Sequence, residues 1–255
     1  MTDYKTIRTS LADGVATLML DRVDKFNAIN LDMLYELRDA IEEANTDDNV
    51  HVIVISGSGN KAFSAGIDLA DGLFEDVDNL ADTMQKSLLP LIVSIEQTNK
   101  PVIASINGMA VGLGASIAMQ CDLMIMSEDA SLRLVFSRLG IVPDGGACWQ
   151  LVHKLGYSKA MQFALEGKSL DAASCLELGI ANKVVAADHL IVETEKWAIA
   201  LAKNSTVSQG LTKQLMREVL RGAGNLEITK LETEAQETCA ASDYCKQAYA
   251  AFLSR

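Results

Sequence analysis

The stretch Ser105-Ile-Asn-Gly-Met-Ala-Val-Gly-Leu-Gly-Ala-Ser-Ile-Ala-Met-Gln-Cys-Asp122 constrains the fold more than any other part of this chain. It continues an apolar run from Pro101 to Ile106 that reads as a buried strand. It then passes through Gly108, Gly112 and Gly114 into an apolar helix of small residues. A strand that turns through glycines into a helix leaves several backbone N–H groups without partners at one point. Such a point holds a phosphate or a developing oxyanion. A second one lies upstream, in Lys61-Ala-Phe-Ser-Ala-Gly-Ile-Asp-Leu69. The expectation is that the two points face one another, and that the rest of the chain brings a substrate and one carboxylate to them.

The surrounding pattern is α/β. Thr6–Ser10 and Val15–Leu20 alternate as strands around Ala-Asp-Gly14, a hairpin signal. Asn30 is placed to cap a helix from Leu31 to Asn45, with Leu34, Leu37 and Ile41 on its apolar face. The β-branched run 50–56 reads as a buried strand. The acidic segment 71–82 reads as a mobile segment or irregular helix, or more plainly as a solvated surface loop, 84–97 as a helix and 123–127 as another strand. Strands alternating with helices favour largely parallel pairing after the first hairpin. Beyond Pro143-Asp-Gly-Gly146 come short helices at 147–155, 158–165 and 171–178, and a last short strand at 183–185. From Asp188 onward the pattern is helical throughout, broken at Gly222-Ala-Gly224. No Pro-rich or Ser-rich linker interrupts the chain. The expected division is a core over residues 1–190 that carries the site, and a helical region over residues 191–255 that packs on the core or on another subunit.

Composition narrows the function. With 34 acidic and 22 basic residues the net charge is −12, which argues against a general nucleic-acid binder. Local lysines and backbone amides still hold an anion on an acidic protein. The five cysteines are scattered without a CxxC pair, as in a reducing compartment. His51, His153 and His189 lack metal-ligand spacing, so no metal site is expected. No apolar run approaches the roughly 20 residues of a membrane span, and no apolar signal region opens the chain. These features predict a cytoplasmic protein. Asp144 either caps the helix that starts near Gly145 or serves as a carboxylate for chemistry; the residues alone leave both readings open.

Five motifs occur in order: Asp21-Arg-x-x-Lys-x-Asn-Ala28, Ala62-Phe-Ser-Ala-Gly-Ile-Asp-Leu69, Lys100-Pro-Val-Ile-Ala-Ser-Ile-Asn-Gly-Met-Ala-x-Gly-x-Gly114, Leu139-Gly-Ile-Val-Pro-Asp-Gly-Gly146 and Gly179-Ile-Ala-Asn-Lys-Val184. Over nearly its whole length the chain resembles the crotonase superfamily, the enoyl-CoA hydratase/isomerase family. The resemblance implies a crotonase-like spiral of ββα units with a C-terminal helical region. It implies trimers that often pair into hexamers, and an acyl-CoA thioester as substrate, with coenzyme A as part of it and no other cofactor. Carried over position by position, the backbone N–H groups of Ile67 and Leu113 form the oxyanion hole for a thioester enolate. Lys25, Ala28 and Ala65, with the backbone through Ile67, Asp68 and Leu69, hold the coenzyme A. Phe252 and Arg255 reach the coenzyme A of a neighbouring subunit.

The departures from the family pattern matter as much. Hydratases of the family hold water between two glutamates, and those positions here are Ser116 and Phe136. Neither replaces a carboxylate as a general base at neutral pH. Asp144 occupies the place where family members that shift a double bond carry an Asp or Glu, including Δ3,Δ2-enoyl-CoA isomerases and isomerases of phenylacetate degradation. The implied activity is therefore isomerisation of a 3-enoyl-CoA to a 2-enoyl-CoA with Asp144 as acid and base. Hydration or another thioester reaction is the alternative, and a non-catalytic acyl-CoA or protein-binding homologue is a third reading.

Overall fold

The computed structural model describes residues 3–72 and 76–254. In chain order its strands are β1 (Ile7–Ala12), β2 (Val15–Leu20), β3 (Val52–Gly57), β4 (Ala62–Ser64), β5 (Val102–Ile106), β6 (Met109–Val111), β7 (Leu123–Ser127), β8 (Ser131–Arg133), β9 (Ser169–Asp171) and β10 (Lys183–Val185). Its α-helices are α1 (Leu31–Thr46), α2 (Leu80–Gln97), α3 (Leu113–Gln120), α4 (Ala147–Leu155), α5 (Tyr157–Glu166), α6 (Ala172–Glu177), α7 (Leu190–Ala202), α8 (Thr206–Leu220), α9 (Asn225–Ala241) and α10 (Asp243–Leu253).

Six strands form one sheet in the order β1-β2-β3-β5-β7-β10. The β1–β2 hairpin is antiparallel and every later pairing in that sheet is parallel. Strands buried on both faces need apolar residues at nearly every position. β5, Val-Ile-Ala-Ser-Ile, is buried along its whole length. A second sheet, β4-β6-β8-β9, is built of three-residue strands. Each long central strand is followed by a short one in the second sheet and then by a helix, as in β3-β4-α2 and β5-β6-α3. The chain therefore spirals through ββα units, as the resemblance implies.

The main core fills the space between the sheets and helices α1, α2 and α3. Phe63, Leu18, Ile53, Leu91 and Ile117 lie at its centre, each at most 1% exposed. Asn30 caps α1 as expected, its side-chain oxygen accepting from the Met33 N–H at 3.1 Å. A smaller core sits on the other face of the large sheet, where Val52, Val54, Ile103 and Ile125 meet Leu190 and Ala198 of α7. The expected boundary at 190/191 thus falls at the start of a helix that covers the sheet. The helices that stand apart from this layer begin with α8.

The short strands β4, β6, β8 and β9 are absent from the reading of the sequence, because three residues carry no measurable periodicity. Of the segment 71–82, read as a mobile segment, irregular helix or surface loop, residues 73–75 lie outside the described residues, Val77–Asn79 form a short 3-10 turn, and the helix expected from residue 84 already begins at Leu80. No described helix is long and apolar enough to cross a membrane.

Candidate active site

The site begins with the loop after β2. Phe26 and Asn27 adopt left-handed backbone, with φ of 52° and 55°. A non-glycine residue there carries a conformational cost. Side-chain hydrogen bonds offset it. The buried Asn27 carboxamide donates to the carbonyls of Ser58 and Ala62, each at 3.0 Å, and its oxygen accepts from the Arg22 N–H at 3.0 Å. The Arg22 guanidinium donates to the Ala28 carbonyl at 2.7 Å and pairs with Asp68 at 2.9 Å. Backbone bonds complete the seam: Ala65 N–H to Phe26 O, Ile29 N–H to Gly66 O and Asp68 N–H to Ile29 O.

This seam lays Lys25, Ala28 and Ala65 beside the second turn. Lys25 is exposed, Ala28 is buried and Ala65 is half-buried. Leu69 is 57% exposed. The Asp68 carboxylate is already engaged, by Arg22 and by the Ala70 N–H at 3.1 Å. Burial pushes its pKa up, but those two donors outweigh it and hold it below the ordinary value. Asp68 therefore shapes the rim through Arg22 and presents no free side chain. Phe252 is exposed on α10, and Arg255 lies outside the described residues.

The two glycine turns meet. A Cβ on Gly66 would lie 2.7 Å from the Val111 carbonyl and 3.6 Å from the Leu113 nitrogen. A Cβ on Gly114 would lie 2.7 Å from Ser64 Cβ and 2.9 Å from the Ser64 carbonyl. Only glycine at both positions allows this approach. Ser64 joins the parts: its hydroxyl donates to the Asn27 carbonyl at 2.8 Å and accepts from the Gly66 N–H at 3.1 Å. Ile67 pairs in parallel with Ile29 through its neighbours' backbone groups. Leu113 is the first residue of α3, where a helical N–H has no acceptor in its own helix. Neither the Ile67 N–H nor the Leu113 N–H has an acceptor among the described residues.

The third part is the loop before α4. A Cβ on Gly145 would lie 2.8 Å from Leu113 Cδ1 and 2.9 Å from Ser116 Cβ. The residue next to Asp144 therefore rests directly on the start of α3. The helix cap belongs to Gly146 and involves no side chain, so the capping reading of Asp144 is overturned. Its Oδ1 is buried with no hydrogen-bond partner among the described residues. Burial pushes the Asp144 carboxyl up to about 6, against a smaller opposing pull from its own backbone N–H. Ser116 is fully buried, and its hydroxyl donates back to the Gly112 carbonyl at 3.2 Å. Phe136 is buried with its ring edge 3.9 Å from where a Cβ on Gly112 would be. The hydration positions thus hold a hydroxyl turned onto the backbone and an aromatic ring.

The sequence of the enoyl-CoA hydratase/isomerase family matches this chain over residues 10–255. The chain belongs to the enoyl-CoA hydratase/isomerase family. It is 30% identical to the 1,2-epoxyphenylacetyl-CoA isomerase of Escherichia coli K12 over 252 residues, which cover 98% of this chain and 95% of that one. It is also 30% identical to the crotonyl-CoA hydratase of Syntrophomonas wolfei, over 99% of this chain and 96% of that one. The crystal structure of an enoyl-CoA hydratase subunit I from Geobacillus kaustophilus HTA426 superposes with a TM-score of 0.93 at 28% identity, covering 99% and 96% of the two chains. Isomerases and hydratases of the family are thus both similar to this chain, and the fold is theirs.

Within the family pattern, three residues that organise the site escape a reading by chemistry alone. Arg22, Asn27 and Ser64 hold the turns together through their hydrogen bonds and ion pair. Their signal is present in the first two motifs, where they stand beside the residues with assigned roles.

Proposed function

We propose that the protein is an acyl-CoA isomerase that moves a double bond from C3 to C2 of an enoyl thioester. The observation that carries this reading is Asp144: a carboxylate with a buried, unpartnered oxygen, raised to about 6, on the residue before Gly145, which rests on the start of α3. A general base works best when its pKa lies near the operating pH. The thioester oxygen would accept hydrogen bonds from the Ile67 and Leu113 N–H groups. Asp144 removes the C2 proton, and the electrons of that C–H bond pass into the enolate. The enolate then collapses toward C4, which takes the proton back from Asp144, and the double bond comes to rest between C2 and C3. Two fixed N–H donors aimed at the enolate oxygen act without reorganising, and removing one such donor typically costs about 3 kcal/mol. Lys25 and the backbone of residues 65–69 would hold the coenzyme A moiety. Ser116 and Phe136 supply no second carboxylate, which sets the reading apart from hydration.

The test is a paired assay on 3-hexenoyl-CoA and crotonyl-CoA, with Asp144→Asn as the control. The expected result is conversion of the first substrate and no hydration of the second. Asp144→Asn should lose at least ~10²-fold in kcat, as for a removed general base, while thioester binding persists. In the native protein kcat/KM should fall as the pH drops through about 6, because the base is then protonated. Hydration of crotonyl-CoA, or full activity in Asp144→Asn, would sink the proposal. The hydratase reading is favoured by the similarity to proteins named hydratases, among them crotonyl-CoA hydratase, and the second substrate tests it directly.

A further inference from the structure

The glycine turns lie at the C-terminal ends of the central strands. At the opposite ends, where Pro101 leads into β5 and Asp122 into β7, α8 and α4 flank a separate open cavity of about 450 Å³. Its walls are mostly apolar, with Leu123, Leu201, Met216, Leu220 and Trp149 around it. Its charge is unbalanced. Asp122 is the one carboxylate on the wall, against Lys154, Lys213 and Arg217.

Two of the three cations are accounted for by the docking of α8. Lys213, with a side chain 7% exposed, pairs with Asp122 at 2.8 Å and donates to the carbonyls of Ile95 and Lys100 at 2.9 and 3.2 Å. Arg217 donates to Asp122 at 3.0 Å and to the Gln120 carbonyl at 3.3 Å through one terminal nitrogen, which leaves its other N–H groups unused among the described residues. Lys154 is different. It is only partly exposed, and its ammonium has neither a hydrogen bond nor an ion pair among the described residues. Cys121 does not supply a second anion, because burial pushes its thiol up to about 12. Burial also lowers the Lys154 and Lys213 pKa values, the direction expected where cations are crowded away from water without enough negative charge.

We propose that this cavity is a second ligand site that takes a carboxylate with an apolar tail. The head group would sit between Lys154 and the free N–H groups of Arg217. The tail would lie against Leu201, Met216 and Leu220. A buried charge must be paired to be tolerated, and charge-assisted bonds from guanidinium and ammonium groups to a carboxylate are the strong ones. Docking of α8 explains Lys213 and Arg217; it gives no role to Lys154, whereas an anionic ligand does. The volume is that of a small-molecule site. The proposal is independent of the role of Asp144.

Octanoate is the probe. The chain has two tryptophans, and Trp149 lines the cavity. In Trp197→Phe, octanoate should change the Trp149 fluorescence saturably, and equilibrium dialysis of labelled octanoate into the unmodified protein should give the same affinity. Lys154→Ala should weaken binding by ~10-fold or more, the equivalent of one charge-assisted bond. Met216→Glu, which adds a negative charge at a position 64% exposed, should weaken it too. Octanoate should still bind when octanoyl-CoA saturates the thioester site, and inorganic phosphate, lacking a tail, should bind much more weakly. Unchanged affinity in both variants would overturn the proposal, as would displacement by octanoyl-CoA. Binding of phosphate as tight as that of octanoate would overturn the assignment of an apolar tail.

Discussion

Asp144 holds its carboxylate where folding penalises the charge. The native group binds its proton more tightly than the same group in the unfolded chain, with a pKa near 6 against an ordinary 3.8. It therefore favours folding below 3.8, and that contribution is lost as the pH rises through about 6. Each pKa unit corresponds to about 1.4 kcal/mol, so above neutrality the buried charge costs up to roughly 3 kcal/mol. Asn has nearly the same shape and no charge. Asp144→Asn should therefore raise the denaturation midpoint at about pH 8, and the gain should vanish at about pH 4. A variant equally stable at both pH values, relative to the native protein, would mean that the carboxylate is better solvated than its buried oxygen indicates. Stability gained where activity is lost is what a functional group in a strained electrostatic setting predicts. At this scale the position of Asp144 was legible from its motif. Its freedom from the helix cap was not, because capping depends on where α4 begins, and two further glycines separate Asp144 from that point.

At the scale of elements, the site is a contact between turns. Gly66, Gly114 and Gly145 each bring backbone to a distance that a methyl group would not allow. Gly114 is the sharpest case, because its backbone is otherwise helical and the obstacle is the side chain and carbonyl of Ser64. Gly114→Ala should leave the propensity of α3 intact or improve it, yet push the helix start away from β4. Overpacking of this kind typically costs about 1–3 kcal/mol. A displacement on the order of 1 Å can lower turnover ~10²-fold when it misplaces an oxyanion donor. The expected result is a folded, less stable protein with a larger loss in kcat than in stability, read by chemical denaturation alongside the 3-hexenoyl-CoA assay. Full activity would show that Leu113 is not positioned by this contact. Helices and the longer strands were readable because burial of one face imposes a period over several residues: Ala147–Leu155 stands where the pattern puts it. The second sheet was not readable. β6 is Met-Ala-Val, and its partners are fixed by the spiral of the chain rather than by anything in three residues.

At the scale of the whole molecule, the last two helices are the least anchored. α9 buries only Ile228 and α10 buries no described residue. Leu226, Tyr249, Phe252 and Leu253 are each at least 65% exposed. Scattered apolar residues are ordinary on a surface, but on these two helices they coincide with almost no burial of the helix itself. The large sheet, by contrast, already has both faces covered, by the helices around the main core on one side and by α7 on the other. We propose that α9 and α10 complete their burial against other copies of this chain, in a homotrimer or a dimer of trimers. The prediction separates folding from association. The native protein should sediment as an assembly of three chains or six, each of 27.4 kDa. A chain ending at Gly224 should keep cooperative unfolding, because it retains every residue of both cores, but should sediment as a smaller species. If the shortened chain fails to fold, a second variant decides the matter: Phe252→Glu and Leu253→Glu together place charge on exposed positions that the core does not use. Those substitutions should dissociate the assembly without lowering the helical signal. An assembly of unchanged mass in both variants would place the contact between copies elsewhere and leave α9 and α10 without that role.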